Sequence, residues 1–118
     1  DRISPDTNLS TFKNKIFTEI GYKVIDKSGK EISNTDLIGT GYKLITDSGK
    51  EYTLIVIGDL NSDGKINISD LSMLRKHYLK VELLQGEYEK AADLENNGSI
   101  SLNDMAIMRK VILKVQEI

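Results

Sequence analysis

Apolar positions change their period near residue 58. In the first half, Leu9, Phe12, Ile16 and Phe17 follow Asn8 at helical spacing, which predicts a short helix capped by Asn8. Tyr22-Lys23-Val24-Ile25 alternates and reads as a strand, followed by a turn over Asp26-Lys27-Ser28-Gly29-Lys30. Tyr42-Lys43-Leu44-Ile45-Thr46 and Tyr52-Thr53-Leu54-Ile55-Val56-Ile57 are rich in β-formers. Asp47-Ser48-Gly49-Lys50 between them predicts a hairpin. Gly39 and Gly41 predict a bend or bulge before it. Residues 1–57 therefore read as a small α+β, β-rich module with one helix and about three strands.

From residue 58 the period is helical. Ile68, Leu71, Leu74, Tyr78 and Val81 form one stripe, and Leu102, Met105, Met108, Ile112 and Val115 form a matching one. Ordinary burial preference assigns both to a core, with the two helices packed antiparallel. Leu83 to Ala92 predicts a short helical turn between them. The stripes belong to a duplication with an interval of 34 residues, from Asp59 to Asp93. Laid on each other, residues 58–82 and 92–116 agree at ten of twenty-five positions. Two copies are too few for a solenoid.

Each copy opens with a segment that has the ligand spacing of a twelve-residue calcium loop. Calcium takes six to eight oxygens, partly carboxylate and partly neutral. The first loop offers side-chain oxygens from Asp59, Asn61, Asp63, Asn67 and Asp70 at places one, three, five, nine and twelve. Lys65, at the seventh, supplies its backbone carbonyl. Gly64, at the sixth, permits the sharp turn around an ion. The second loop offers Asp93, Glu95, Asn97, Ser99, Ser101 and Asp104 at the same places. Each loop holds three carboxylates, but Glu95 is a methylene longer than its counterpart. It binds through a different rotamer or leaves its place to water, which makes the second loop the weaker site. Ile66 and Ile100, at the eighth places, predict a small bridge between the loops.

The flanks separate these loops from a calcium sensor. A sensing hand has helices on both sides and a Glu at the twelfth place. Here a β-like run enters the first loop, and Asp closes both. That disfavours a device that opens an interhelical groove.

Composition changes the picture only by exclusion. The 118 residues carry a net charge of −2, which argues against general nucleic-acid binding. There is no Cys, so disulfides and thiolate metal sites are excluded. No apolar run approaches the ~20 residues needed to span a bilayer. The opening Asp1, without Met or a signal peptide, suggests a fragment of a longer parent. His77 is the only His, and a lone helical His is ordinarily a surface or edge residue. The carboxylates are already required as metal ligands, and no P-loop, dinucleotide fingerprint or nucleophile constellation is present. The expectation is a binding module and not an enzyme.

The two loop–helix segments resemble a dockerin, the module that attaches bacterial enzymes to cohesin domains in cellulosomes and related surface assemblies. The resemblance covers residues 58–116. It implies an all-α module of two calcium loop–helix (F-hand) repeats, two Ca2+ ions and a non-catalytic anchoring function in a secreted or cell-surface protein, monomeric when free. It also places cohesin recognition on Ile68, Ser69, Arg75, Lys76 and Lys80 in the first copy, and on Leu102, Asn103, Arg109, Lys110 and Lys114 in the second. Many enzyme dockerins carry Ser-Thr at the early positions, where this chain has Ile-Ser and Leu-Asn. The departure implies a more apolar contact. The basic residues admit a second reading as a solvated face that favours each helix C-terminus. Near-symmetry implies that either helix can dominate the contact after a half-turn of the module. Residues Gly39-Thr40-Gly41-Tyr42 and Glu51-Tyr52-Thr53, leading into Gly58-Asp59, are similar to the small X-like modules that precede dockerins. With no flexible linker at Ile57-Gly58-Asp59, the first half is expected to buttress the second.

Two other classes remain open at this stage. One is a calcium-stabilised structural spacer without a protein partner. The other is a carbohydrate-binding accessory module using Tyr22, Tyr42 and Tyr52, although strand tyrosines are more often structural.

Overall fold

The computed structural model describes residues 2–15, 21–81 and 83–114. Ile16, Phe17 and Val115, three of the expected apolar positions, lie outside the described residues. Helix α1 spans Leu9–Lys15 and starts where Asn8 Oδ1 accepts the Thr11 N–H at 2.8 Å. Strands β1 (Tyr22–Ile25), β2 (Lys43–Thr46) and β3 (Glu51–Thr53) form an antiparallel sheet in sequence order. Its register pairs Val24 with Leu44 and Leu44 with Tyr52. The turn after β1 closes on Asp26, whose Oδ1 accepts N–H bonds from Ser28 and Lys30. Leu9, Val24, Ile32, Ile38 and Val56 form the buried core of this half, with Phe12, Tyr42, Leu44 and Leu54 packed against it.

The strand expected to run to Ile57 leaves the ladder after Thr53. Leu54 still bonds to Tyr42 and Gly41, but Gly41 turns the chain with φ +93°. The next residues change partner. Ile3 donates to Ile55 O and accepts from Ile57 N–H, so Ile3 bridges Val56 in parallel. This exchange delivers the chain to Asp59.

Helices α2 (Ile68–Tyr78), α3 (Glu87–Ala92) and α4 (Leu102–Ile112) follow. The second core joins Leu60, Leu71, Leu74, Ala91, Ala92 and Met108, and α2 packs against α4. The expected apolar stripes are only partly core. Ile68 is 67% exposed and Leu102 60%, because each is the first residue of its helix and projects past the packed turns. Tyr78 is exposed at the last turn of α2. Val81 is 72% exposed, because the chain turns away through a left-handed Lys80 at φ 60°. Ile66 and Ile100 also depart from expectation. Neither lies in a β-bridge, and both pack against the second core.

Candidate metal centre

The first loop is built around two buried aspartates. Asp59 closes the loop on itself: Oδ1 accepts the Asp63 N–H at 3.2 Å and Oδ2 accepts the Gly64 N–H at 3.0 Å. Gly64 reaches this position with φ +77°, which its lack of a side chain permits. Asp70, in the first turn of α2, spans the loop from the other end. Its Oδ1 accepts from Leu60 N–H and its Oδ2 from Asn67 N–H, both at 2.9 Å. Asn67 in turn accepts the Ser69 N–H, so the last ligand place is also part of the helix cap.

These bonds bring Asp59, Asp63 and Asp70 together, with one oxygen from each lying within 4.8 Å of the others. Asn67 Nδ2 lies 3.3 Å from Asp63 Oδ2, while Asn61 and Lys65 sit exposed at the rim. Burial raises the Asp70 carboxyl to about 6 and also raises Asp59; neighbouring carboxylates add to the rise and backbone N–H bonds oppose it. Carboxylates held together against that cost, with oxygen donors throughout, fit a hard divalent cation such as calcium.

The second loop repeats the frame. Asp93 accepts from Asn97 N–H at 3.3 Å and Gly98 N–H at 2.8 Å, the same places as in the first loop. Asp104 accepts from Ser101 N–H and from Glu95 N–H, one place further along than Leu60. Asp104 is buried and Ser101 half-buried, but Glu95, Asn97 and Ser99 are exposed. Among the described residues, only the first loop gathers three acidic side chains into one cluster.

The residues assigned to partner recognition lie mostly in the open. Ser69, Arg75, Lys76 and Lys80 are exposed with Ile68, as are Asn103, Arg109, Lys110 and Lys114 with Leu102. His77 is half-buried, and its Nδ1 accepts the Leu84 N–H at 2.9 Å, which ties the segment after α2 back to the helix. Tyr22 and Tyr52 share the sheet face of Val24 and Leu44, and Tyr42 packs on the first core.

Contacts to the loops come from residues that the sequence did not assign to the site, among them Thr40, Asp6 and Arg2. Thr40 N–H donates to Asp59 Oδ2 at 2.8 Å. Asp6 N–H donates to Gly64 O at 2.7 Å. Arg2 donates to the carbonyls of Lys90, Asp93 and Leu94. Thr40 and Asp6 act through backbone N–H groups, which leave no trace in residue identity, so only the Gly39/Gly41 bend marked their region in advance. Arg2 acts through its guanidinium, but lies some ninety residues away in sequence from the carbonyls it meets. The fourth loop places, Ser62 and Asn96, both adopt positive φ, at 67° and 56°. Asn tolerates that conformation; Ser gives little warning of it.

The first loop, with three carboxylates gathered ahead of a helix, is a group that could hold a divalent cation. Residues 57–113 match the family model for the dockerin type I domain, and this segment is a dockerin. Dockerins of this type bind calcium and cohesin domains and are non-catalytic parts of cellulosome-type complexes. No curated protein and no solved structure matches the chain.

Proposed function

We propose that residues 58–118 form a dockerin of two F-hand repeats, each binding one calcium ion, and that residues 1–57 form an X-like buttress. In this reading the module anchors a parent secreted enzyme or surface protein to a cohesin, outside the cell or on its surface. Asp59, Asn61, Asp63, Asn67 and Asp70, with the Lys65 carbonyl, hold the first ion. Asp93, Glu95, Asn97, Ser101 and Asp104, with the Ser99 carbonyl, hold the second. The observation that supports two sites is the shared frame, in which the first aspartate of each loop accepts the N–H groups of its fifth and sixth residues.

Partner recognition rests on matched exposure. Ile68 and Leu102 open the two helices as bare apolar side chains. Arg75, Lys76 and Lys80 follow the first, and Arg109, Lys110 and Lys114 follow the second. Each face offers an apolar point and a basic trio to a cohesin with an acidic rim. A pull-down of the full chain against cohesins of several classes, in calcium and in chelator, tests the reading. Specific capture that needs calcium supports it, and failure across a broad panel assigns the chain to a structural spacer. Replacing one basic trio alone leaves substantial binding if either helix can dominate. Loss of binding from one such variant rejects the two-way mode.

A further inference from the structure

We infer that the Gly39–Thr40 turn is a positioning element of the first calcium centre, so that the two loops bind calcium unequally and the first depends on the N-terminal half. This inference rests on the calcium reading of the loops.

Asp59 and Asp93 receive the same pair of N–H bonds from their own loops. Asp59 alone receives a third, from Thr40 N–H to Oδ2 at 2.8 Å. Among the described residues, no donor from outside the second loop reaches the Asp93 carboxylate. Thr40 is fully buried and held firmly. Its hydroxyl donates to Val56 O at 3.1 Å and accepts the Val56 N–H at 3.0 Å, and its carbonyl accepts the Ser62 hydroxyl. The last bond holds the left-handed Ser62, which also meets the Tyr88 hydroxyl at 2.8 Å.

Packing is as unequal as bonding. A Cβ on Gly39 would collide with the Ser62 carbonyl oxygen, and one on Gly64 would meet Ile38 O at 2.7 Å. One on Gly98 would meet nothing within 4 Å. Asp59 has no exposed surface, whereas Asp93 is 8% exposed. Arg2 does touch the second loop, but through backbone carbonyls, and it leaves the carboxylate free.

The chemical consequence follows from where Thr40 acts. Two N–H groups on Oδ2 fix the plane of the Asp59 carboxylate and keep Oδ1 available to a cation. The ligand is ordered before the ion arrives, so less freedom is lost on binding. A bond from N–H to a charged carboxylate is strong enough for an effect of about tenfold on affinity.

The test is a calcium titration of the full chain followed by amide NMR. Gly64 and Gly98, at the sixth places, report the two loops separately. The Gly64 resonance is expected to reach its midpoint at about tenfold less calcium than Gly98. Gly39→Val, which wedges the turn off Ser62, should raise the Gly64 midpoint about tenfold and leave Gly98 within twofold. Thr40→Ser keeps both the N–H and the hydroxyl and should behave as the unmodified chain. The unmodified chain gives a second reading that survives misfolding of the wedge variant. Hydrogen exchange at the Thr40 amide should slow over the calcium range in which Gly64 moves. Equal midpoints in the unmodified chain, an equal shift of both glycines in Gly39→Val, or rapid Thr40 exchange at saturating calcium would each overturn the inference. A chain in which neither glycine responds to calcium overturns the calcium reading itself, and the inference with it.

Discussion

Asp70 carries opposite demands in the two states of the loop. In the metal-free chain it is buried beside Asp59 and Asp63, and burial raises its carboxyl from 3.8 to about 6. A folded-state value above the unfolded one means that the folded chain binds protons more tightly. Its contribution to stability is therefore full below about pH 4 and is lost as pH rises through about 6. Unfolding by urea in chelator should show a more stable fold at pH 4.5 than at pH 7. Calcium reverses the trend, because its ligands must be deprotonated. Asp70→Asn separates the two effects. In chelator at pH 7 its urea midpoint should stay close to that of the unmodified chain, since removal of the buried charge offsets the loss of one of the two oxygens that accept Leu60 and Asn67 N–H. Calcium affinity at the first loop should fall more than tenfold by calorimetry. A variant that loses metal-free stability at pH 7 would show that charge repulsion is not what limits the empty loop.

Helix ends show how closely the two copies follow one plan. After α2, Val81 N–H donates to Lys76 O at 2.9 Å and Lys80 N–H to His77 O at 3.0 Å, the paired bonds of a Schellman stop. After α4, Lys114 N–H donates to Val111 O at 3.0 Å in the same way. The left-handed residue of that stop is usually Gly, yet here it is Lys80 and Lys114, both at φ 60°. Lys80→Gly or Lys114→Gly should raise stability in calcium by about 0.5–1 kcal/mol, read from urea midpoints. If cohesin affinity falls in the same variants, the lysines are kept for contact. At this scale much was legible from residues alone. The Asn8 cap, the hairpin, both helices and the acidic cluster of the first loop follow from side-chain chemistry and period. The exchange of Ile55–Ile57 from β2 to Ile3 was not legible, because β-formers announce a strand and not its partner. Period alone put Ile68 and Leu102 on the core stripes, and only the dockerin resemblance set them on an outer face; both are exposed. Helical period assigns a face, but it does not say where packing stops along that face.

The two halves meet through the first loop more than through either core. Thr40, Asp6 and the Ser62 hydroxyl form one set of bonds across the join, and the Lys27 ammonium lies 4.9 Å from the Tyr88 ring centre. Arg2 carries the join on to the second loop from a segment that pairs with Ile55–Ile57. The apolar clusters stay separate, one around Val24 and Ile38 and the other around Leu74 and Met108. Cooperativity between the halves therefore depends on the first loop, which N–H bonds close and which a bound calcium ion would hold closed more strongly. At ~1,000 times the dissociation constant, calcium adds about 4 kcal/mol per site to the dockerin half. That is comparable with the stability of a small domain. In calcium, the amides of Val24 in the sheet and Leu74 in α2 should lose their native signals at the same urea concentration. In chelator the Leu74 signal should vanish first, with the helical spectrum, while Val24 persists to higher urea. Cohesin capture should disappear with Leu74 and not with Val24. If, in chelator, the Leu74 signal and cohesin capture persist to the same urea concentration as in calcium, packing alone holds the dockerin half and calcium does no more than decorate it.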